Sequence, residues 1–103
     1  MLKLRGAFTR RPLVEESRLE TKASVVLYTK PNCHLCDEMK AELKKAGCDN
    51  LYRLEEINIE SDPALLERYR FDIPVLQING VEAFRHRLQA DQFRTAITAS
   101  VGN

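Results

Sequence analysis

The sequence predicts an α/β fold in three layers, a four-stranded mixed sheet flanked by helices in the order βαβαββα. Three observations carry this. A β-branched and apolar run at Ser24–Thr29 is followed, after a short loop, by an amphipathic helical pattern from Leu35 to Ala46. A second strand-like stretch, Leu51–Ile59, leads through a proline-marked start into another short helical pattern. Two strand-like segments then flank Asn79-Gly80, a pair whose readiness for positive φ makes it a strong hairpin signal.

Taken in order, Ser24–Thr29 has no polar alternation and reads as a strand buried on both faces, hence central in its sheet. In the first helix Leu35, Met39, Leu43 and Ala46 recur every three or four residues, while Asp37, Glu38, Lys40, Glu42, Lys44 and Lys45 face away. Gly47 is placed to end it. Within Leu51–Ile59, Tyr52 and Leu54 fall in one phase and Ile57 and Ile59 in the other, so a bulge or a frayed end is expected. Ser61-Asp62-Pro63 supplies a cap and a proline for the first turn of the second helix, whose apolar face is Leu65, Leu66 and Tyr69. Tyr69 and Phe71 are both expected in the core. Strands Pro74–Ile78 and Val81–Phe84 pair antiparallel, and a last helix over Gln89–Ala99 turns Phe93, Ala96 and Ile97 inward. A right-handed crossover makes the first two strands parallel.

With 103 residues, 44% hydrophobic and 30% charged, the chain suits one compact domain, expected over 23–103. A formal charge of +1 and the lack of any long like-charge block argue against a nucleic-acid partner. Apolar runs fall well short of the ~18 residues of a membrane span, so no membrane partner is expected. Residues 1–22 form a basic lead expected to be flexible: Lys3, Arg5, Arg10 and Arg11 precede the first acidic residue, Glu15. A cytoplasmic home is expected, with mitochondrial targeting by this basic segment as the alternative.

The chemistry concentrates in Cys33-His34-Leu35-Cys36, which opens the first helix directly after the first strand and its loop. Cysteines three apart at a helix start have Cα atoms roughly 5 to 6 Å apart, inside the ~4.4–6.8 Å window of a disulfide. The helix N-terminus stabilises a thiolate, the attacking species in exchange. A C-x-x-C beside a βαβ pattern therefore reads as a redox dithiol. Two cysteines that merely pack are the plainer alternative. Structural zinc wants four ligands, and Cys48 lies twelve residues beyond Cys36, about 18 Å along a continuous helix. No metal site is expected. Cys33, nearer the helix mouth, is the expected nucleophile and Cys36 the resolving thiol. His34 either favours the thiolate or is a solvated side chain, and Asp37 and Glu38 oppose the thiolate if they act on it at all. Arg85, His86 and Arg87 read either as an anion site or, more simply, as a charged strand end in water. Cys48 reads as a small residue near a helix end.

Thr29-Lys30-Pro31-Asn32-Cys33-His34-Leu35-Cys36, together with Phe71-Asp72-Ile73-Pro74-Val75, resembles the thioredoxin superfamily and within it the glutaredoxin-like branch. The likeness covers about residues 24 to 99, and the stretch from Glu67 to Val75 is most similar to a small group of uncharacterised glutaredoxin-like proteins. The resemblance implies a thioredoxin-like fold and a cis Ile73–Pro74 bond against the thiol pair, with the backbone of Ile73 as a docking edge. It also implies that Lys30 corresponds to the glutaredoxin lysine that contacts glutathione. The chain departs from the glutaredoxin pattern where Leu35 replaces a common tyrosine, where Asp72 replaces a common threonine, and where Arg85-His86-Arg87-Leu88 stands in place of a Gly-Gly pair and following Asp.

The function expected from these residues is thiol-disulfide oxidoreduction through Cys33 and Cys36, with Lys30, His34, Ile73 and Pro74 binding the thiol substrate. No cofactor is required for such exchange; glutathione would be a weak co-substrate. The partner would be a disulfide-containing protein or a small thiol, met by a monomer. Two alternatives stand beside it, a low-turnover binding module on the same fold and an iron-sulfur carrier ligating through Cys33.

Overall fold

The structure is a computed structural model that describes residues 22–101; apart from Lys22, the basic lead expected at 1–22 lies outside the described residues. Strand β1 (Ala23–Thr29) leads to helix α1 (His34–Ala46), a 3₁₀ turn (Asp49–Leu51), strand β2 (Tyr52–Asn58), a second 3₁₀ turn (Ile59–Ser61) and helix α2 (Pro63–Tyr69). The hairpin β3 (Val75–Ile78) and β4 (Val81–Arg85) follows, then helix α3 (Ala90–Ser100). Hydrogen bonding orders the sheet β2-β1-β3-β4. β1 runs parallel to β2 and antiparallel to β3, and β3 runs antiparallel to β4. The sheet is thus mixed, with β1 in its interior.

Each face of the sheet has its own apolar cluster, because successive strand side chains point to opposite sides. On one side Ala23, Val25 and Leu27 of β1 meet Met39 and Leu43 of α1 and Phe93 and Ile97 of α3. On the other, Tyr69 of α2, with Leu65 and Leu66 against it, meets Ile59, Ile73, Val75 and Cys36, and Tyr28 of β1 packs there too. The expectation that β1 is buried on both faces holds only in part. Ala23, Val25, Leu27 and Thr29 are buried, whereas Ser24 is exposed and Val26 and Tyr28 are half-buried, because the short α2 covers its side of the sheet incompletely.

The mixed phase of the second strand has a different cause from the expected bulge. β2 pairs with β1 in unbroken register from Tyr52 to Asn58. That register sets Leu54 beside Val25 and Ile57 beside Tyr28, so the two apolar phases face opposite sides of the sheet, and the strand ends before Ile59, which is fully buried in the following 3₁₀ turn. The irregularity sits in the hairpin instead. Leu76 pairs with Phe84 but Gln77 with Glu82, so Ala83 is the extra residue of a bulge.

Local signals explain the ends of these elements. Asp62 Oδ1 accepts the Ala64 N–H at 2.9 Å and Pro63 occupies the first turn of α2. Gly47 closes α1 at φ 69°, in the left-handed region where a side chain is disfavoured. Asn79 and Gly80, at φ 52° and 83°, form the tight hairpin turn. The Asn79 side chain also ties distant segments, accepting from Ser24 N–H at 2.9 Å and donating to Ser100 O at 3.2 Å. Among the described residues no helix is long and apolar enough to cross a membrane.

Candidate active site

Cys33 is the N-cap of α1. Its extended backbone, φ −106° and ψ 107°, precedes the first helical turn, and its Sγ accepts the backbone N–H of Cys36 at 3.1 Å. A helix start leaves its first N–H groups without helical partners, and here one of them is spent on sulfur. Cys33 and Cys36 form a disulfide with their Cα atoms 5.2 Å apart. Their surroundings differ sharply, since Cys36 is 1% exposed in the smaller cluster while Cys33 is half-buried at its rim. The loop that delivers them includes Asn32 at φ 60°, a conformation that asparagine tolerates better than most side chains.

Ile73 belongs to the same cluster as Cys36, and Cys33 packs against that cluster, so the residue before Pro74 and the thiol pair share one apolar cluster. The Ile73–Pro74 peptide is cis and the Pro74 side chain is fully buried. Three bonds from the end of β4 fasten this loop. His86 N–H donates to Pro74 O at 2.7 Å, His86 Nε2–H donates to Phe71 O at 3.3 Å, and the Arg85 guanidinium lies 3.1 Å from Asp72 Oδ1. The carbonyl of Phe71 can only accept, which fixes the imidazole nitrogen as donor. His86 adopts φ 69° to make this hook; a non-glycine residue in that region typically costs about 1–3 kcal/mol, which the surrounding bonds must offset.

The expected charged neighbours distribute unevenly. Lys30 is exposed at the end of β1 and has no ion pair among the described residues. His34 is 87% exposed and lies 2.9 Å from Glu38, a partner that competes with any role toward sulfur. Arg87 approaches the same Glu38 at 3.9 Å. Arg85 is fully committed, with its Nε and Nη2 bonded to the Glu82 carboxylate at 2.9 and 2.8 Å besides the contact to Asp72. That bidentate pair holds the Glu82 carboxyl below its ordinary range and the Arg85 guanidinium above its own. The Arg85–His86 pair is therefore a fastening built into the fold rather than a loose strand end.

Phe71 is the main surprise. Expected in the core, it is 84% exposed, because the chain must turn outward between buried Tyr69 and buried Ile73. Tyr69 stays inside, stacked on Tyr28 with centroids 4.5 Å apart. Burial is the first cause that raises the Tyr28 phenol above its usual range, and the facing Tyr69 adds to it. The hook was partly legible in the chain. Register counted back from Asn79-Gly80 brings Arg85 opposite the residues around Pro74, near Asp72 of opposite charge.

Cys48 lies in the larger cluster, 5% exposed, with its thiol donating to Ala46 O at 3.5 Å. It is remote in packing from Cys36, which belongs to the other cluster. Among the described residues no group of three or more His, Cys, Asp or Glu side chains is placed to hold a metal ion. A groove of about 630 Å³ runs between α1 and residues 86–91, lined by Glu38, Glu42, Arg87 and Leu88 among others, and neither sulfur borders it.

A parallel β1–β2 pair joined through α1, an antiparallel hairpin, and a C-x-x-C capping the first helix opposite a proline loop define a thioredoxin-fold protein. Residues 24–98 match the model of the glutaredoxin-like domain family (DUF836), and the chain belongs to that family. The chain is similar to the solved structural-genomics target protein XcR50 from X. campestris, at 27% identity and a TM-score of 0.63, covering 73% of this chain and 96% of that one. It shares its fold with a thioredoxin mutant from Halobacterium salinarum at 11% identity (TM-score 0.59, covering 89% and 86% of the two chains). Fasciola hepatica thioredoxin, at 17% identity and a TM-score of 0.52, covers 86% of this chain and 88% of its own.

Proposed function

We propose that this protein is a thiol-disulfide oxidoreductase in which Cys33 attacks and Cys36 resolves. The observation that carries this is the asymmetry of the pair, with a rim-exposed Cys33 whose sulfur accepts a helix-start N–H and a buried Cys36 within bonding reach. A hydrogen bond to sulfur and the positive end of α1 both favour the charged form, so Cys33 supplies the thiolate. The Cys33 thiolate forms a bond to one sulfur of the substrate disulfide while the substrate S–S bond breaks, releasing one substrate thiolate that takes a proton from water. The Cys36 thiolate then bonds to Cys33 Sγ, the mixed disulfide breaks and the second substrate thiolate leaves. Two electrons pass from the dithiol to the substrate, and an external thiol or dithiol reductant restores the pair.

Burial of Cys36 gives the second step its order. The resolving sulfur is shielded from outside disulfides and meets only the one that Cys33 has already captured. Ile73 and Pro74 line the approach, and the Ile73 backbone is the proposed docking edge. Lys30 stands as the nearest uncommitted cation in sequence. Glutathione is proposed as a weak co-substrate, because Arg85 is occupied by Glu82 and Asp72 and so does not replace the missing glycine-rich carboxylate site.

Single-turnover trapping tests the assignment. The Cys36→Ser variant, reduced and mixed with a small aromatic disulfide, should stop at a stable mixed disulfide on Cys33, read by mass. Cys33→Ser should form no such adduct at a comparable rate. Equal trapping by both variants, or by neither, would sink the assignment.

A further inference from the structure

Resting on the redox reading above, we propose that Phe71 is the recognition residue for protein substrates, and that the preferred partner is an extended polypeptide disulfide with an apolar side chain beside its reactive cysteine and an acidic residue nearby. Phe71 is 84% exposed although it stands two residues from Ile73, whose side chain is buried in the cluster that holds Cys36. Two residues span at most about 7 Å of chain, so the Phe71 backbone lies within that distance of Ile73, on the same loop as the proposed docking edge.

An exposed aromatic on a slack loop would carry little information. This one is anchored, since His86 Nε2–H holds the Phe71 carbonyl, His86 N–H holds the Pro74 carbonyl, and Arg85 holds Asp72 between them. The backbone under the ring is thus fixed before any partner arrives, which lowers the ordering needed on binding. The Arg70 guanidinium lies 5.4 Å from the ring centroid, and both side chains are exposed. That pair offers an apolar face with a cation at its edge. Asp72, the acidic residue of the loop, is already paired with Arg85 and adds less repulsion to an acidic partner than its sequence position suggests. A small thiol such as glutathione has no side chain to place on the ring, whereas a polypeptide does.

The experiment measures the first-step rate of reduced protein with four probes: disulfide-linked dimers of a short peptide carrying glutamate and leucine beside cysteine, the same peptide with serine for leucine, the same with lysine for glutamate, and 2-hydroxyethyl disulfide. The native protein should prefer the leucine peptide to the serine one by about tenfold, equivalent to about 1.4 kcal/mol, and the glutamate peptide to the lysine one by a smaller factor that falls with added salt. Phe71→Ala should bring the leucine-to-serine rate ratio down to about one, and Phe71→Tyr should restore it. Equal rates for leucine and serine peptides in the native protein, or a preference that survives Phe71→Ala, would overturn the proposal while the redox reading stands. No reaction with any probe, 2-hydroxyethyl disulfide included, would overturn both.

Discussion

At the residue scale, Arg85 shows how a charge that looks available in the chain is spent in the fold. Its guanidinium bridges Glu82 and Asp72, so β4 and the loop before β3 are joined by a side chain as well as by backbone. The Glu82 carboxyl, held below its ordinary range by that hydrogen bond, links the pair to pH. A carboxyl with a lowered folded pKa contributes stability fully above the unfolded value, about 4.3, and loses it as pH falls through the folded value. Arg85→Ala should therefore raise the Glu82 pKa toward the ordinary range, as seen by carboxyl NMR titration. The stability gap between native and variant attributable to this pair should be present at neutral pH and shrink on acidification below about pH 4. A Glu82 titration unchanged by the substitution would show that the bidentate pair is not populated in solution. Because both side chains are substantially exposed, solvent screening keeps the size of the effect small.

At the element scale, α1 and α3 cap each other. Gln89 provides no side-chain cap for α3, and Glu42 of α1 takes that place by accepting the Ala90 N–H at 2.9 Å. In return Arg94 Nε of α3 donates to Ala46 O at the end of α1, at 3.2 Å. Losing a cap of this kind typically costs about 0.5–2 kcal/mol, so Glu42→Ala should lower the denaturation midpoint measurably without altering exchange at Cys33. Chemical denaturation followed by circular dichroism checks this, and a stability equal to the native protein's would mean that water caps α3 as well as Glu42 does. Such caps between helices illustrate what sequence patterns conceal. The strands, helices and hairpin were legible because each carries a local signal, a β-branched run, a 3.6-residue period, Asp62-Pro63 or Asn79-Gly80. Contacts that join distant segments mostly carry none, so the Glu42 cap and the outward Phe71 emerged only from the packing, and of the hook only the approach of Arg85 to the Asp72 loop could be counted from the hairpin register. Phe71 misled because an aromatic near a buried tyrosine looks like core, while the decisive fact was that the chain has only three residues, Arg70 to Asp72, in which to pass from α2 to the buried Ile73. The bulge or frayed end expected in β2 was misread because its two apolar phases face the two sides of the sheet, and no composition marks Ala83, where the bulge lies.

For the whole molecule, the two-faced sheet places the thiol pair where the smaller core meets solvent. Most of the apolar mass lies on the α1/α3 side, around Phe93, Ile97, Val25 and Leu27. The opposite side, under the short α2, holds Cys36, Ile73 and Val75 and leaves Cys33 at its rim. One core thus fixes α1, at whose N-terminus both cysteines sit, and the other buries Cys36 while leaving Cys33 at its rim. Cys48, enclosed in the larger core, stands apart from this exchange. A working redox couple and a structural crosslink at Cys33 and Cys36 differ most in reduction potential. Equilibrating the protein in graded dithiol–disulfide buffers, and reading the peptide that contains both cysteines by mass, measures their reduction potential directly. A redox couple gives one two-electron transition confined to Cys33 and Cys36, with Cys48 remaining a thiol, and a midpoint within the range of about −270 to −120 mV occupied by exchange proteins of this fold. A midpoint below about −300 mV, where structural disulfides lie, or thiols that stay open under a strong oxidant, would contradict it.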